Sequence, residues 1–163
     1  MKRRMQSFTV SRTVDGKIAT AEIHLVANGC FYFFNAQHLY LKISSIERSY
    51  FDFMCEKMDY QNRVEINGKL RNGYIKHYNK VTSSKKAPSE RTLQRYEDKL
   101  KSLNLIISIN EPGALCFINP KYVFRGTLTA RWNLMNKLAD MAFRGAIDLS
   151  AIIDRPVDSI KPN

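Results

Sequence analysis

The segment of residues 88–103 constrains the fold more than any other part of the chain. Pro88 and Ser89 are suited to start a helix, because proline tolerates the first turn and a serine hydroxyl can cap a free backbone N–H. Apolar residues then recur at helical spacing, at Leu93, Tyr96, Leu100 and Leu103. Asn104, which tolerates the left-handed conformation, follows the last of them. The pattern predicts an amphipathic helix with one buried stripe and a polar outer face.

The elements around this helix follow a recognisable order. Apolar residues at helical spacing predict a helix over residues 44–58, with Ser44 or Ser45 as its N-cap, and a second, shorter helix after a brief strand at residues 62–68. Residues 82–87 form a polar, basic turn, and residues 105–109 and 114–118 predict a hairpin around the turn at 110–113. This order of helix, strand, helix, turn, helix and hairpin is typical of a winged helix-turn-helix domain.

The two ends of the chain add further elements. Alternating residues on either side of Asp15 and Gly16 predict a β-hairpin over residues 6–27. The aromatic run at residues 30–34 favours a buried strand, with a platform for stacking single-stranded bases as the alternative. A C-terminal helix is indicated by an apolar stripe at Leu128, Trp132, Met135, Leu138 and Met141.

The sequence therefore predicts an α+β fold: a winged helix-turn-helix domain with an N-terminal β-hairpin extension and a C-terminal helix. The predicted divisions are residues 1–37 for the extension, 38–126 for the DNA-binding domain, 127–145 for the helix and 146–163 for a loosely ordered tail.

The charge of the chain indicates the class of partner. Lys and Arg number 26 against 15 Asp and Glu, which gives a net charge of +11. So large an excess favours a polyanion, nucleic acid before an anionic membrane. No apolar run is long enough to cross a membrane, and three widely spaced cysteines favour a reducing compartment, so we expect a cytosolic protein. The His and Cys spacings do not resemble a zinc site, and we expect neither metal nor cofactor.

The basic residues concentrate on the second helix of the core, the turn after it and the start of the next helix, where a winged helix would meet the phosphates of DNA. In the turn, the candidates for phosphate contact are Thr82, Ser84, Lys85 and Lys86. Between residues 69 and 91 there are seven basic side chains and one acidic one, Glu90. The helix predicted over residues 88–103 would be the recognition helix of such a domain. Its exposed start adds side chains that can contact base edges, arginine with guanine and glutamine with adenine. The wing has an acidic residue, Glu111, and no Lys or Arg from 104 to 120, so cations just after it are expected to contact DNA instead. The predicted DNA-binding residues are Lys69, Arg71, Lys76, Lys80, Thr82, Ser84, Lys85, Lys86, Ser89, Arg91, Thr92, Gln94, Arg95, Lys121 and Arg125.

Three stretches carry a resemblance to a known family. They are the hairpin from Val14 to Ile23 with Asn28-Gly29-Cys30-Phe31, the run Ser89-Glu90-Arg91-Thr92-Leu93-Gln94, and the most specific, residues 117–126 with Asn119-Pro120 and Arg125-Gly126. Together they resemble the RepL-type replication initiators of plasmids and phages, over residues 13–138. The resemblance implies binding to a replication origin and recruitment of host replication proteins, without nicking of DNA.

Two other function classes are weighed against an initiator. A winged-helix transcriptional regulator would use the same core, with the helix after Gly126 serving to form a homodimer. A nucleic-acid-processing enzyme is disfavoured, because the chain lacks the His-x-His pair of a nicking initiator and a Walker-type glycine-rich loop. We therefore expect a DNA-binding protein that is not an enzyme.

Overall fold

The computed structural model describes the backbone of residues 6–14, 17–26, 30–33, 39, 41–82, 86–109 and 114–148, and the side chains of residue 39 and of the last three ranges. Within these residues the chain belongs to the α+β class, with four helices and two small antiparallel sheets. The predicted α+β class is confirmed.

Each of the four described helices begins at a side chain that satisfies a free N–H of its first turn. Helix α1 (Ser45–Lys57) is capped by Ser44, whose own N–H donates to Glu47 at 2.6 Å and completes a capping box. The other three helices are α2 (Gly68–Val81) with Asn67 as cap, α3 (Glu90–Ser102) with Ser89, and α4 (Leu128–Phe143) with Thr127. The polar residues at these caps therefore set where the helices start.

Seven strands form the two sheets. One sheet has the order β1-β2-β3-β7, where the strands are β1 (Gln6–Val14), β2 (Lys17–Val26), β3 (Cys30–Phe33) and β7 (Val123–Arg125). The other has the order β4-β6-β5, where the strands are β4 (Arg63–Glu65), β5 (Ile106–Ser108) and β6 (Leu115–Ile118). All strand pairs in both sheets are antiparallel.

The β4-β6-β5 sheet separates two clusters of buried side chains. Alternate residues of a strand point to opposite faces, and Ile106 and Ile118 join the cluster formed with α1, α2 and α3. Their neighbours Ile107 and Phe117 join the second cluster, which contains Phe124 and the inner side of α4. Helices α1 to α3 therefore cover one face of this sheet, and α4 covers the other.

Asn62 connects the two sheets. It is fully buried and has a φ of 56°, a left-handed conformation that asparagine tolerates. Its side-chain amide donates to the carbonyl oxygens of Ile118 at 3.2 Å and Val123 at 2.7 Å, and its oxygen accepts the N–H of Arg125 at 3.1 Å. These bonds fix the start of β7, and through β7 the sheet that contains the N-terminal hairpin.

Most predicted elements occur within a few residues of their expected bounds, including the N-terminal hairpin and the helix at residues 90–102. Strand β7 was not predicted; it lies in the range assigned to the DNA-binding domain and pairs with β3 of the predicted extension. The predicted turns at Asp15-Gly16 and at residues 110–113, and most of the predicted tail from residue 149, lie outside the described residues.

The stripe predicted for the C-terminal helix is wrong in its register. The residues of α4 that pack inward are Leu134, Leu138 and Ala142. Leu128 and Trp132, which the sequence pattern placed on the buried side, are exposed. The helix has two apolar stripes, and the predicted one mixed members of both.

Candidate nucleic-acid interface

The outer face of α3 carries the side chains that were predicted to contact bases. Leu93 and Leu100 are fully buried, and Tyr96 and Leu103 are partly buried, so the predicted inner stripe is confirmed. Arg91, Gln94 and Arg95 are exposed, and spacings of three and four residues place them on one face. Helix α3 therefore presents one amide and two guanidinium groups side by side to solvent.

The first turn of α3 is held by its own cap. The Ser89 hydroxyl accepts the Thr92 N–H at 3.2 Å, and the two hydroxyl oxygens lie 2.8 Å apart. Ser89 and Thr92, both predicted to contact DNA, thus already hydrogen-bond each other. Ser89 remains exposed, so its hydroxyl can still be approached from solvent.

A buried carboxylate anchors α3 to the other two helices of its layer. Glu97 accepts two hydrogen bonds from the Arg71 guanidinium, from Nε at 2.9 Å and from Nη2 at 2.8 Å, and a third from the Tyr50 hydroxyl at 2.7 Å. The bidentate geometry fixes the orientation of the guanidinium as well as its distance. Glu97 therefore ties α3 to α2 through Arg71 and to α1 through Tyr50.

The same cluster shifts the ionisation of its members. Hydrogen bonding to Glu97 raises the pKa of Arg71, against the opposing effect of burial. Burial raises the pKa of Tyr50 far above its ordinary value, and the bond to Glu97 adds to the effect. Both groups hold their protons throughout the physiological range, so the cluster stays a fixed donor set around one carboxylate.

This position of Arg71 bears on its predicted role. The sequence grouped it with the phosphate-contacting cations, but its guanidinium is committed to Glu97, and a weaker contact at 3.4 Å joins it to Glu90. Only 15% of its side chain is exposed. In the described structure Arg71 positions α3, and a contact with DNA would have to compete with these bonds.

The other predicted cations of α2 are exposed on its surface. Lys69, Lys76 and Lys80 are exposed and follow one another at spacings of seven and four residues, which places them on a single stripe. Thr82, at the end of the helix, donates its hydroxyl to the Tyr78 carbonyl at 2.6 Å. The lysine stripe gives α2 an outer face of uniform positive charge.

The turn between α2 and α3 is described in part. Lys86 is exposed just before the α3 cap. Ser84 and Lys85, which were predicted to contact phosphates, lie outside the described residues.

The cations after the wing have structural contacts. The Arg125 guanidinium donates to the Met58 carbonyl at 2.8 Å and lies over the Tyr60 ring at 5.2 Å. The Lys121 ammonium lies 5.6 Å from the centre of the Tyr122 ring. Arg125 thus joins β7 to the end of α1, and a contact between its guanidinium and DNA would have to compete with these two contacts.

Sequence reasoning missed Glu97 and Tyr50. Glu97 lies four residues after Leu93 and three before Leu100, so it occupies the buried stripe of α3. A carboxylate at such a position requires partners, because burying it alone is very costly. That interruption of the stripe was the available signal, although the sequence does not identify the partners.

Among the residues that the structure describes, no group of three or more His, Cys, Asp or Glu side chains is placed to hold a metal ion. No described helix has the length and apolar character needed to cross a membrane.

Comparison of the chain with protein-family models, with curated proteins and with solved structures found no match.

Proposed function

We propose that the chain is a sequence-specific binding protein for double-stranded DNA, built on a winged-helix core, with α3 as the recognition helix. The observation that carries the proposal is the outer face of α3, where Arg91, Gln94 and Arg95 lie side by side on a helix anchored from beneath. Arginine and glutamine are suited to bidentate contacts with guanine and adenine in the major groove.

The topology supports the winged-helix part of the proposal. The order α1, β4, α2, α3, β5, β6, with β4 paired to β6 and β6 to β5, matches the order expected from the sequence pattern. In such domains the third helix enters the major groove and the hairpin after it lies near the backbone.

The charge of the surroundings supports DNA as the partner. The lysine stripe of α2 and Lys86 lie before α3 in the chain and are exposed. Phosphate contacts from such lysines supply affinity that is independent of sequence, whereas contacts from α3 supply the specificity. The two sets together would give tight binding with a base preference.

The biological role proposed for this activity is replication initiation. The three stretches that resemble the RepL-type initiators support it. Two residues in these stretches have a structural role that explains why asparagine and glycine occur there. Asn119 donates its side-chain amide to the Asn104 carbonyl at 2.8 Å, and Gly126 has a φ of 132°, which a larger residue would adopt only with strain. The protein would bind its origin and recruit host replication proteins without cutting DNA.

The test is a selection of bound duplexes from a random pool at about 150 mM salt, the physiological ionic strength. A reproducible motif is expected, and it should occur in the origin of the replicon that encodes the protein. Motifs that overlap promoters, without any effect on replication, would instead favour the transcriptional regulator.

Two variants and one control locate the specificity. Arg91→Ala and Gln94→Ala are each expected to lose preference at one base pair, by about 5- to 150-fold. Lys137→Ala removes an exposed positive charge from α4 and should leave the selected motif unchanged. If the motif of Arg91→Ala and of Gln94→Ala matches that of the unmodified protein, α3 is not the recognition helix.

A further inference from the structure

Helix α4 has a second apolar stripe that the described residues leave uncovered. Leu128, Trp132 and Phe143 expose 59%, 68% and 77% of their surface. Met135 and Ala139 are partly buried and lie between them. These five residues, separated by intervals of four, three, four and four, form one line along the helix. We call this line the outer stripe.

The outer stripe is large for a surface without a partner. Single exposed apolar residues are ordinary, but three of them on one line about 22 Å long at 1.5 Å per residue, with two part-exposed apolar residues between them, are not. Covered aromatic side chains bury roughly 150–250 Å² each. Two aromatic and three aliphatic side chains from each of two copies would approach the ~1,200 Å² at which specific interfaces begin.

We propose that a second copy of the chain covers the outer stripe, by antiparallel pairing of two α4 helices about a twofold axis between Met135 and Asn136. The residues of the stripe are arranged for this pairing. Leu128 and Phe143 lie equally far from that midpoint, so each meets the other across the axis. Trp132 and Ala139 are likewise equidistant, so the largest side chain of the stripe meets the smallest.

The charges beside the stripe favour the same partner. On the solvent side its neighbours are polar or acidic and exposed, namely Thr129, Asn133, Asn136 and Asp140. Lys137 and Arg144 lie towards the far side of the helix. The nearest cation of the helix, Arg131, lies beside the stripe, but its guanidinium donates to the carbonyl oxygens of Pro120 and Lys121. Two chains that each carry a net charge of +11 would therefore meet where the exposed cations of α4 lie away from the contact.

The pairing leaves the candidate DNA interface open. Helix α4 lies across the β4-β6-β5 sheet from α1, α2 and α3. A dimer through α4 would expose two copies of α3, as a palindromic DNA site requires. The inference does not depend on the proposed function, because the dimer is measured without DNA.

The first experiment uses the full chain in dilution, with mass measured by sedimentation or light scattering. Trp132 is the only tryptophan of the chain, so its fluorescence reports directly on the outer stripe. We expect the mass to double with concentration and the emission to shift to shorter wavelength over the same range. Trp132→Glu should weaken dimerisation by at least ~30-fold, as expected when a central aromatic anchor is lost.

Two further experiments test whether dimerisation depends on the outer stripe and whether the two helices pair antiparallel. Lys137→Glu places a carboxylate on the far side of α4, with a charge change of two units against one for Trp132→Glu, and should dimerise like the unmodified protein. Circular dichroism should show both variants folded, because Trp132 and Lys137 are exposed in one copy. For the orientation, Asn136→Cys should form an intermolecular disulfide under oxidation, whereas Thr129→Cys, which is far from the proposed axis, should not.

Several outcomes would overturn the proposal. A monomer at all concentrations with solvent-like Trp132 emission would leave the stripe without a second copy. A monomer whose emission is already at short wavelength would show that another segment of the same chain covers it. A dimer that survives Trp132→Glu would place the interface elsewhere, and equal cross-linking at positions 129 and 136 would contradict the antiparallel pairing.

Discussion

Helices α3 and α4 bury their inner stripes in the same manner, but the surfaces they present to solvent differ in chemistry: that of α3 is polar and charged, and that of α4 is apolar. Each packs leucines inward and also holds one charged side chain as an anchor: the buried Glu97 on α3, held by Arg71 and Tyr50, and the partly buried Arg131 on α4. The Arg131 guanidinium donates to the carbonyl oxygens of Pro120 at 2.6 Å and Lys121 at 3.1 Å. Burial lowers its pKa, but the group remains a cation.

The outer faces of the two helices differ in kind. The outer face of α3 carries Arg91, Gln94 and Arg95, whereas the outer stripe of α4 carries Leu128, Trp132 and Phe143. The residues on the inner stripe of a helix are determined by packing within the fold, whereas those on its outer face are determined by solvent or by a binding partner. We infer that the partner of α3 is a polyanion and that the partner of α4 is an apolar surface identical to its own outer stripe.

The largest effect is expected at the anchor of α3. Glu97→Ala removes the common acceptor of Arg71 and Tyr50 and leaves a cation without its partner in a mostly buried site, which should lower the free energy of unfolding by about 3–5 kcal/mol. Urea unfolding followed by circular dichroism measures the change. The control is Glu90→Ala, because Glu90 is half-exposed and contacts the same arginine at 3.4 Å.

We expect Glu90→Ala to cost about 0.5 kcal/mol or less, as is usual for surface ion pairs. If the two variants lost equal stability, the packing of α3 would not depend on the buried cluster, and the contrast between its inner and outer faces would be lost.

The two stripes of α4 give the second prediction. Leu138 is fully buried, so Leu138→Ala should cost about 3 kcal/mol through lost burial and the cavity it leaves. Leu128→Ala, on the outer stripe, should change the stability of the monomer by less than about 0.5 kcal/mol. Thermal or urea unfolding at low protein concentration, where monomers dominate, is the measurement. Equal losses would mean that the outer stripe already packs within the same chain.

The sequence predicts α3 more accurately than α4. The start and end of α3 depend on local chemistry, and Ser89 caps the helix as expected, while Asn104 adopts a φ of 56°. The apolar residues of α3 lie on one side only, so its inner stripe was predicted correctly. In α4 both sides are apolar, and periodicity alone cannot distinguish the stripe that packs on the sheet from the one that faces solvent.

Contacts between distant parts of the chain account for what was missed. Glu97 is 26 residues from Arg71 and 47 from Tyr50, and the position of β7 depends on Asn62, 61 residues before Val123. No local preference specifies such pairings. The candidate interface on α3 was predictable because it consists of exposed residues on one regular helix, whereas its support was not.

The third prediction separates affinity from specificity on the proposed DNA-binding side. Lys86 is exposed and lies before the α3 cap, where it could meet a phosphate. Lys86→Ala should weaken binding to all duplexes alike and reduce the slope of log affinity against log salt by about 0.9, the value for one lost phosphate contact. Titrations at several salt concentrations, on selected and scrambled duplexes, measure both quantities. A changed base preference in this variant would show that residues outside α3 also read the sequence.

The smallest effect concerns the ion pair that joins α1 to α3. The Lys99 ammonium donates to Glu47 at 2.8 and 3.1 Å. Burial alone would raise the pKa of Glu47, but the bonds from Lys99 and Ser44 together lower it below the ordinary value of a glutamate. A carboxylate whose pKa is lowered by folding stabilises the folded state above its unfolded pKa, and this contribution is lost as the pH falls through the folded value.

Glu47→Gln should therefore cost about 0.5–1 kcal/mol at pH 7, because Lys99 is partly exposed and the pair is screened. The difference between the two proteins should shrink below about pH 4.5, measured by urea unfolding across the acid range. A difference that stays constant down to pH 2 would show that the lost stability does not come from the charge of Glu47.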